Sequence, residues 1–269
     1  MLPTVFVSHG SPMHALHAGV AGEKWTGIGR RLPRPRAILV ASAHWETGRP
    51  MLSTVGKPET IHDFGGFPDE LYTLKYPASG ATGAAQQALE LLKDAGLSAA
   101  ADTSRGLDHG AWVPLRYLYP DADIPVAQVS VQSSLDASHH LRLGAALAPL
   151  AAEDVLVIGS GHMTHNLRDW MTFVRSHGRQ PKETPAAAYV EEFRNWIDRA
   201  LKENDRNALA AWQEQAPNAL RAHPSPEHFL PLPLAFAAAG PAPRVEHIDA
   251  GVDAGVLAMD AYLFWQKTG

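Results

Sequence analysis

Two short apolar segments that each end in a histidine are the strongest constraint on how this chain folds. Residues 37–45, AILVASAHW, begin as a buried strand and end at His44 and Trp45. Residues 4–7 form a second apolar run, and His9 follows it after a single serine. In an open α/β sheet, ligands collect at the carboxyl ends of the strands, so the two segments predict one site that contains both histidines.

Segments typical of strands and of helices alternate along the chain. This alternation predicts the α/β class, with a single domain over residues 1–269 and a central mixed, mainly parallel sheet flanked by helices. Further strands are expected at 97–101, 124–131, 155–158, 244–248 and 256–264. Helices are expected at 84–95, through Trp112, Leu115 and Leu118, at 137–152, at 185–201 and at 229–239. We expect residues 19–36 to be a connection and residues 54–83 to be a long loop that packs over part of the fold.

The composition is that of an ordinary globular protein. The chain has 269 residues, 45% of them hydrophobic and 19% charged, with a formal net charge of -5. Because no basic run is present, we expect no nucleic-acid partner, and a small-molecule ligand is favoured. No apolar run approaches the length of a membrane span, and the N-terminus does not resemble a signal peptide. These features predict a cytoplasmic protein, and they are compatible with a homo-oligomer.

The chain has no cysteine but 14 histidines. Disulfides, thiolate metal sites and cysteine nucleophiles are therefore excluded, and a metal must bind to His, Asp or Glu. A site rich in histidine suits Fe(II), Zn(II) or Mn(II). The motifs of zinc metalloproteases, P-loop proteins, α/β-hydrolases and dinucleotide-binding proteins are all absent. The candidate residues at predicted element boundaries are His9, His44, His109, His162, His165, Glu227 and His228.

Six short motifs contain most of these candidates. They are His9-Gly10-Ser11-Pro12, Ser42-Ala43-His44-Trp45, His62-Asp63-Phe64-Gly65-Gly66-Phe67-Pro68, Asp108-His109-Gly110, Thr164-His165-Asn166-Leu167 and Pro226-Glu227-His228. In this order they resemble the DOPA-dioxygenase branch of the class III extradiol ring-cleavage dioxygenases. The resemblance extends from near the N-terminus to about residue 240, and it implies that the single domain is catalytic.

The resemblance implies a metal bound by His9, His44 and a third ligand from the last motif. Related extradiol enzymes use two histidines and one carboxylate, which leave open positions on Fe(II). The resemblance to this branch implies that His228 is the third ligand, with the carboxylate of Glu227 as the alternative. Fe(II) is expected in the active form, and Zn(II) is compatible with the purified protein.

The resemblance also implies two further histidines with roles in the reaction. His165 is expected to bind substrate and to move protons as the acid or base, and with zinc it is also a candidate fourth ligand. His109 is expected to form a hydrogen bond with a substrate hydroxyl or bound oxygen, with Asp108 orienting its ring. His162 is expected to pack beside the site.

Other residues are expected around the substrate. His62 and His223 are predicted at the edge of the pocket, and Arg168 or Lys182 is predicted to contact a substrate carboxylate. Residues 166–184 are predicted to be a loop that decides substrate choice. Four aromatic residues either stack on a planar ring or belong to the core, namely Trp45, Phe64, Phe67 and Trp170.

These features together predict a non-haem Fe(II)-dependent extradiol dioxygenase. It would cleave a catechol such as DOPA with O₂ to give a ring-opened semialdehyde acid, so its partners are a small aromatic diol and O₂. Two alternatives remain at this point. A zinc hydrolase would use the same histidines to activate a water molecule. A non-catalytic binding protein of the same fold is the second alternative, although retention of the boundary histidines argues against it.

Overall fold

The computed structural model describes residues 2–178 and 183–266, which contain ten strands and eleven α-helices. The strands are β1 (Thr4–Ser8), β2 (Ala37–Glu46), β3 (Met51–Ser53), β4 (Ala100–Asp102), β5 (Val126–Val131), β6 (Val155–Gly161), β7 (Arg244–Ile248), β8 (Val252–Asp253), β9 (Leu257–Ala258) and β10 (Ala261–Trp265). The helices are α1 (Gly19–Arg31), α2 (Asp69–Thr73), α3 (Thr82–Asp94), α4 (His109–Leu118), α5 (Ala137–Leu147), α6 (Leu167–His177), α7 (Ala188–Lys202), α8 (Arg206–Ala210), α9 (Trp212–Gln215), α10 (Ala219–Ala222) and α11 (Pro231–Ala238). Two 3₁₀ helices span Pro12–Ala15 and Ala148–Glu153.

Eight of these strands form one mixed sheet in the order β4-β3-β5-β2-β6-β1-β10-β7. The central strands β5, β2, β6 and β1 pair in parallel, and β3 also pairs in parallel with β4. The β3–β5, β1–β10 and β10–β7 pairs are antiparallel. The predicted α/β class with a mixed, mainly parallel sheet flanked by helices is therefore confirmed.

Helices cover both faces of the central sheet. Val40 and Ile158 belong to the core on the side of α1 and α4, whereas Leu39 and Val157 belong to the core formed with α3, α5 and α11. Neighbouring residues of a strand point to opposite faces, so a strand buried on both faces is apolar throughout. In the part of the chain that the structure describes, no helix is long and apolar enough to cross a membrane.

Residues 19–36 contain a helix, so the predicted connection was wrong. Trp25 and Ile28 of α1 lie almost one turn apart and are fully buried, in the same core as α4. Several glycines in α1 concealed its periodicity, because glycine disfavours helices. Gly29 permits the close approach of α4, since a Cβ atom there would lie 2.0 Å from the carbonyl oxygen of Leu118.

Several other predicted boundaries also differ from the structure. The helix expected at 137–152 ends at Leu147 and continues as the 3₁₀ helix that contains Pro149. The helix expected at 229–239 begins at Pro231, because the preceding residues form a turn. The strand expected at 256–264 is divided into β9 and β10 around Asp260, whose carboxylate accepts a hydrogen bond from Arg194.

The long connection before α3 packs over the fold as expected. Its only described helix is the five-residue α2, and the rest of residues 54–81 is irregular apart from isolated bridges. Tyr76 is buried and donates a hydrogen bond to the carbonyl oxygen of Tyr119 at 2.9 Å. Phe64 and Phe67 pack against the same core, and this contact fixes the position of the loop beside the ends of the strands.

His223 was predicted at the edge of the pocket, but it is part of the core. Its Nε2 atom donates to the carbonyl oxygen of Met163 at 2.9 Å, and Phe193, Trp212 and Phe229 surround its ring. Burial lowers the pKa of His223 to about 4.

Two glycines of α1 provide a matched test of the packing between α1 and α4. Gly29→Ala is expected to lower the free energy of unfolding by about 1 to 3 kcal/mol, because the new methyl group overlaps the backbone of Leu118. Gly27→Ala is expected to raise it by up to about 1 kcal/mol, since nothing lies within 4 Å of that position. Urea unfolding of both variants measures the difference. Equal effects would contradict the predicted close packing.

The buried His223 predicts a dependence of stability on pH. The pKa of His223 in the folded protein lies below the usual value of about 6.5. The neutral ring therefore contributes fully to the free energy of unfolding above pH 6.5, and this contribution is lost as the pH falls towards 4. Metal-free wild-type protein should lose stability between pH 7 and pH 5. In the His223→Gln variant, the free energy of unfolding should fall by about 1 to 2 kcal/mol less over the same range. Urea unfolding at both pH values tests this, with the exposed His17→Gln as control. An unchanged loss in His223→Gln would contradict it.

Candidate metal centre

Three central strands deliver histidines to one edge of the sheet. His9 follows β1, His44 lies near the end of β2, and His162 follows β6. The backbone N–H of His9 donates to the carbonyl oxygen of Gly161 at 3.0 Å, so the two strand ends stay aligned. His228 reaches the same place from the turn before α11. The parallel pairing of β1, β6 and β2 therefore gathers residues that are far apart in sequence.

The Nε2 atoms of His9, His44 and His228 converge. Nε2 of His44 lies 3.1 Å from Nε2 of His9 and 3.2 Å from Nε2 of His228, and the three potential ligand atoms lie within 4.8 Å of one another. Nitrogen ligands that share a zinc-like ion at 2.0 to 2.1 Å are separated by about 2.8 to 3.4 Å, from octahedral to tetrahedral geometry. The two separations measured from Nε2 of His44 lie within that range.

The opposite nitrogen of each ring faces an acceptor. Nδ1 of His9 lies 3.0 Å from Oγ of Ser160, whose own hydrogen is donated to the carbonyl oxygen of Gly110. Nδ1 of His44 lies 3.3 Å from Oδ2 of Asp63. These partners assign the ring hydrogen to Nδ1 and leave a lone pair on Nε2.

The third ring has a carboxylate partner of its own. Nδ1 of His228 lies 2.9 Å from Oε1 of Glu227, and this oxygen also accepts a hydrogen bond from Oγ of Ser225 at 3.0 Å. All three converging Nε2 atoms therefore present lone pairs to one another. This arrangement is unfavourable for the rings alone and suitable for a cation, so the site is compatible with a metal ion.

Burial is the main influence on the protonation of these rings. It lowers the pKa of His9, His44 and His228 well below the usual histidine value, and the proximity of other histidines lowers each pKa further. The nearby carboxylate of Asp63 opposes this effect at His44 but does not reverse it. The three rings are therefore neutral at neutral pH, which is the state that binds metals.

Asp63 connects two of the candidate histidines, a role that was not predicted from the sequence. Its carboxylate accepts from Nδ1 of His109 at 2.9 Å and from the backbone N–H of His109 at 2.8 Å, and it also contacts His44. Burial raises the pKa of Asp63, but the hydrogen bonds and charges of His109 and His44 outweigh it, so the net pKa lies below the usual value. The only signal in the sequence was its place beside His62 in the third motif.

Asp108 does not orient His109, which corrects the earlier prediction. Its carboxylate caps the N-terminus of α4 and accepts hydrogen bonds from Oγ of Ser42 and from Arg105, both at 2.6 Å. Burial raises the pKa of Asp108. Because these contacts point it towards β2, Asp108 fastens the start of α4 to the sheet, and Asp63 holds the His109 ring instead.

His165 lies against His228. The two rings are stacked, with centroids 3.5 Å apart and planes inclined by 10°. The backbone N–H of His165 donates to the carbonyl oxygen of Ala222 at 2.8 Å. Burial lowers the pKa of His165 well below its usual value, and the proximity of His162 lowers it further. His165 is therefore a fourth neutral imidazole, at the edge of the cluster formed by His9, His44 and His228.

His162 packs behind the cluster. Its Nε2 atom accepts a hydrogen bond from the backbone N–H of Gly10 at 2.9 Å, and its ring centroid lies 5.1 Å from that of His9. Burial lowers the pKa of His162 to about 3. Gly10 has a φ of +72°, a conformation that favours glycine. The turn that follows His9 is therefore held against the end of β6.

A cavity of about 410 Å³ opens above the histidines, and we call it the inner cavity. Such a volume lies in the usual range for small-molecule sites. Its wall includes six histidines (His9, His44, His109, His162, His165 and His228), together with Glu227, Leu167 and the aromatic residues Phe64, Phe67 and Trp170. Trp45 is not in the wall, because its ring is buried beneath the guanidinium of Arg105.

The remaining predicted pocket residues lie elsewhere. His62 is not in this wall, since its Nε2 atom donates to the carbonyl oxygen of Leu74. Most of residues 166–184 form α6, so the predicted loop was wrong; the Asn166 side chain caps this helix. Arg168 is exposed on α6 and lines a neighbouring cavity. Lys182 lies outside the described residues.

Comparison with known proteins agrees with this architecture. The family model described as the catalytic LigB subunit of aromatic ring-opening dioxygenase matches residues 3–254. A solved structure, that of the uncharacterized protein JW3007 from Escherichia coli K12, superposes with a TM-score of 0.78 at 30% sequence identity, covering 98% of this chain and 99% of that one.

Relatives named 4,5-DOPA dioxygenase extradiol match over nearly the whole chain. The Beta vulgaris protein is 43% identical, covering 97% of this chain and 96% of its own. The Escherichia coli (strain K12) protein is 38% identical, covering 96% of this chain and 93% of its own. The chain therefore belongs to the LigB family of aromatic ring-opening dioxygenases, in the branch of the 4,5-DOPA extradiol enzymes, and is an extradiol ring-opening dioxygenase.

Proposed function

We propose that this enzyme is a non-haem Fe(II)-dependent dioxygenase that opens the ring of a catechol such as DOPA with O₂, giving a ring-opened semialdehyde acid. The proposal also treats residues 1–269 as one catalytic domain. The observation that carries it is the convergence of three Nε2 lone pairs, from His9, His44 and His228, on the floor of a cavity with aromatic walls. The names of the relatives support DOPA as a representative substrate.

In this proposal, His9, His44 and His228 hold the metal. Fe(II) bound there would supply open positions for the catechol oxygens and O₂ and a redox-active centre between them. The hydrogen bonds to Ser160 and Glu227 and the contact with Asp63 keep each ring pointed at a common centre, which is the usual role of such outer partners.

The contacts of Glu227 favour His228 as the third ligand. Its Oε1 atom is already shared by Nδ1 of His228 and Oγ of Ser225. Glu227 thus orients the His228 ring and makes it more basic. Three neutral ligands leave the full charge of the ion in place, which favours binding of a catechol that has lost protons.

His165 moves protons in this proposal. Its neutral imidazole lines the inner cavity and can accept a proton from a catechol hydroxyl and return it later in the reaction. Its plane is nearly parallel to that of His228 at 3.5 Å. The lone pair of a histidine nitrogen lies in its ring plane, so the lone pairs of two rings stacked in parallel do not point at one common centre. The stacking therefore favours proton transfer and argues against the predicted fourth-ligand role.

His109 binds the substrate in this proposal. Its Nδ1 atom is occupied by Asp63, so Nε2 is the nitrogen left for a catechol hydroxyl or for bound oxygen. Its ring centroid lies 4.0 Å from that of His44. A hydroxyl held by His109 therefore lies next to the metal ligands, while Phe64, Phe67 and Trp170 exclude water from the ring.

The reaction is tested by loading metal-free protein with Fe(II) under anaerobic conditions. DOPA or caffeate is then added in air, and O₂ uptake and the yellow ring-opened product are measured. We expect one O₂ consumed per catechol. Protein loaded with Zn(II) is the matched control and should be inactive, because zinc has no redox chemistry. No uptake across a panel of catechols, or hydrolytic activity only with zinc, would overturn the proposal.

His44→Ala should abolish retention of the metal and leave the fold intact. The ring is removed from the centre of the three ligands, whereas Ile38, Leu39, Val40 and Ala41 still supply the packing of β2. Metal analysis after gel filtration should give near-zero occupancy with an unchanged circular dichroism spectrum. His17→Ala, at an exposed position, is the control. A folded His44→Ala protein that keeps stoichiometric iron would refute the ligand assignment.

His165→Asn should separate proton transfer from metal binding. We expect wild-type iron content with kcat lower by about 10²-fold to 10⁴-fold, the usual contribution of a general acid or base. Metal analysis and stopped-flow absorbance measure the two quantities on the same sample. Loss of the iron together with the activity would instead make His165 a ligand.

A further inference from the structure

A second cavity of about 510 Å³ adjoins the inner cavity, and we call it the outer cavity. The two share three wall residues, His165, Leu167 and Glu227. The outer cavity therefore begins beside the proposed proton-transfer residue and the proposed partner of a metal ligand. Its remaining wall is formed by Asn166, Arg168, Asp169, Leu220, Arg221, Pro224 and Ser225.

The wall of the outer cavity contains one positive charge that has no partner among the described residues. Asp169 pairs with Arg221 at 3.1 Å, and Glu227 is occupied by His228 and Ser225. Across residues 2–178 and 183–266, the guanidinium of Arg168 forms no hydrogen bond or ion pair. Among the described residues of the wall, Arg168 is therefore the one cation without a partner, and it suits an anionic group.

Two leucines give the same cavity an apolar surface. Leu167 is 51% exposed and Leu220 is 67% exposed. They are the two most exposed of the five large hydrophobic side chains that stand out on the described surface, and both line the outer cavity. Paired exposed apolar residues beside a catalytic cavity are typical of a binding surface.

We propose that the outer cavity is a substrate subsite, and that the preferred substrate is a catechol extended by a bulky substituent with a terminal anion. This inference rests on the proposed function. The catechol ring would occupy the inner cavity, the substituent would pass Leu167 and contact Leu220, and the anion would meet Arg168. A single-ring catechol with a short side chain needs only the inner cavity, whereas a volume of 510 Å³ accepts a second group at least as large as the ring.

Anaerobic calorimetry on the Zn(II)-loaded protein tests the subsite without turnover. The probes are 4-methylcatechol, chlorogenate (a caffeoyl ester that carries a carboxylate) and the methyl ester of chlorogenate. We expect chlorogenate to bind about tenfold more tightly than 4-methylcatechol, because it also buries apolar surface and its carboxylate meets Arg168. Arg168→Gln should lower the affinity for chlorogenate about fivefold, as expected for the loss of an exposed ion pair. It should leave the affinities for the other two probes unchanged. Arg175→Gln, also exposed on α6, is the control.

Leu220→Ser tests the apolar contact separately. It should lower the affinities for chlorogenate and its methyl ester about threefold and leave the affinity for 4-methylcatechol unchanged, because only the extended probes reach this residue. Equal affinity of all three probes in wild type, or an equal effect of Arg168→Gln and Arg175→Gln, would overturn the subsite while leaving the proposed function intact. If no catechol binds, and the Fe(II)-loaded protein cleaves none, the proposed function fails as well.

Discussion

The parallel pairing of β6 with both β1 and β2 is the constraint on which the site depends. Val5 and Val40 both lie opposite Ile158, so the two outer strands run in the same register along the central one. The chain therefore brings His9 and His44 to the same edge at the same height, although 34 residues separate them. Apolar packing on both faces fixes this register, because a shift of one residue would turn every buried side chain to the opposite face.

The convergence of the backbone at the sheet edge does not by itself orient the rings of His9, His44 and His228 towards a common centre. Each Nδ1 atom also needs an acceptor, and the acceptors come from three different places: Ser160 at the end of β6, Asp63 in the long loop before α2, and Glu227 before α11. Asp63 has the widest reach, because it touches both His44 and His109. The irregular loop is thus part of the site's framework, and the aromatic residues that pack it against the core also hold Asp63 in place.

The sequence could predict the parts that depend on local pattern. Apolar strands followed by histidine indicated the sheet edge, and His9 and His44 do meet there. Contacts between distant segments left no such pattern. Asp63 and Asp108 are both acidic residues beside a histidine, and only the folded chain shows that Asp63 holds His109 while Asp108 turns to Ser42. Helix α1 was missed for a similar reason, since its glycines reduce helix propensity locally but permit close packing on α4.

The histidine cluster also opposes folding to some extent. Neutral rings whose lone pairs face one another at 3.1 and 3.2 Å repel, and their burial removes the water that would otherwise solvate them. The surrounding core and the Nδ1 hydrogen bonds offset this cost. A cation among the Nε2 atoms turns the same repulsion into attraction, and the rings need no further ordering to bind it. Nitrogen ligands of this kind bind several divalent ions, so the preorganised rings favour metal binding without choosing among the metals. The geometry of the open coordination positions and the supply of metal decide which ion is bound.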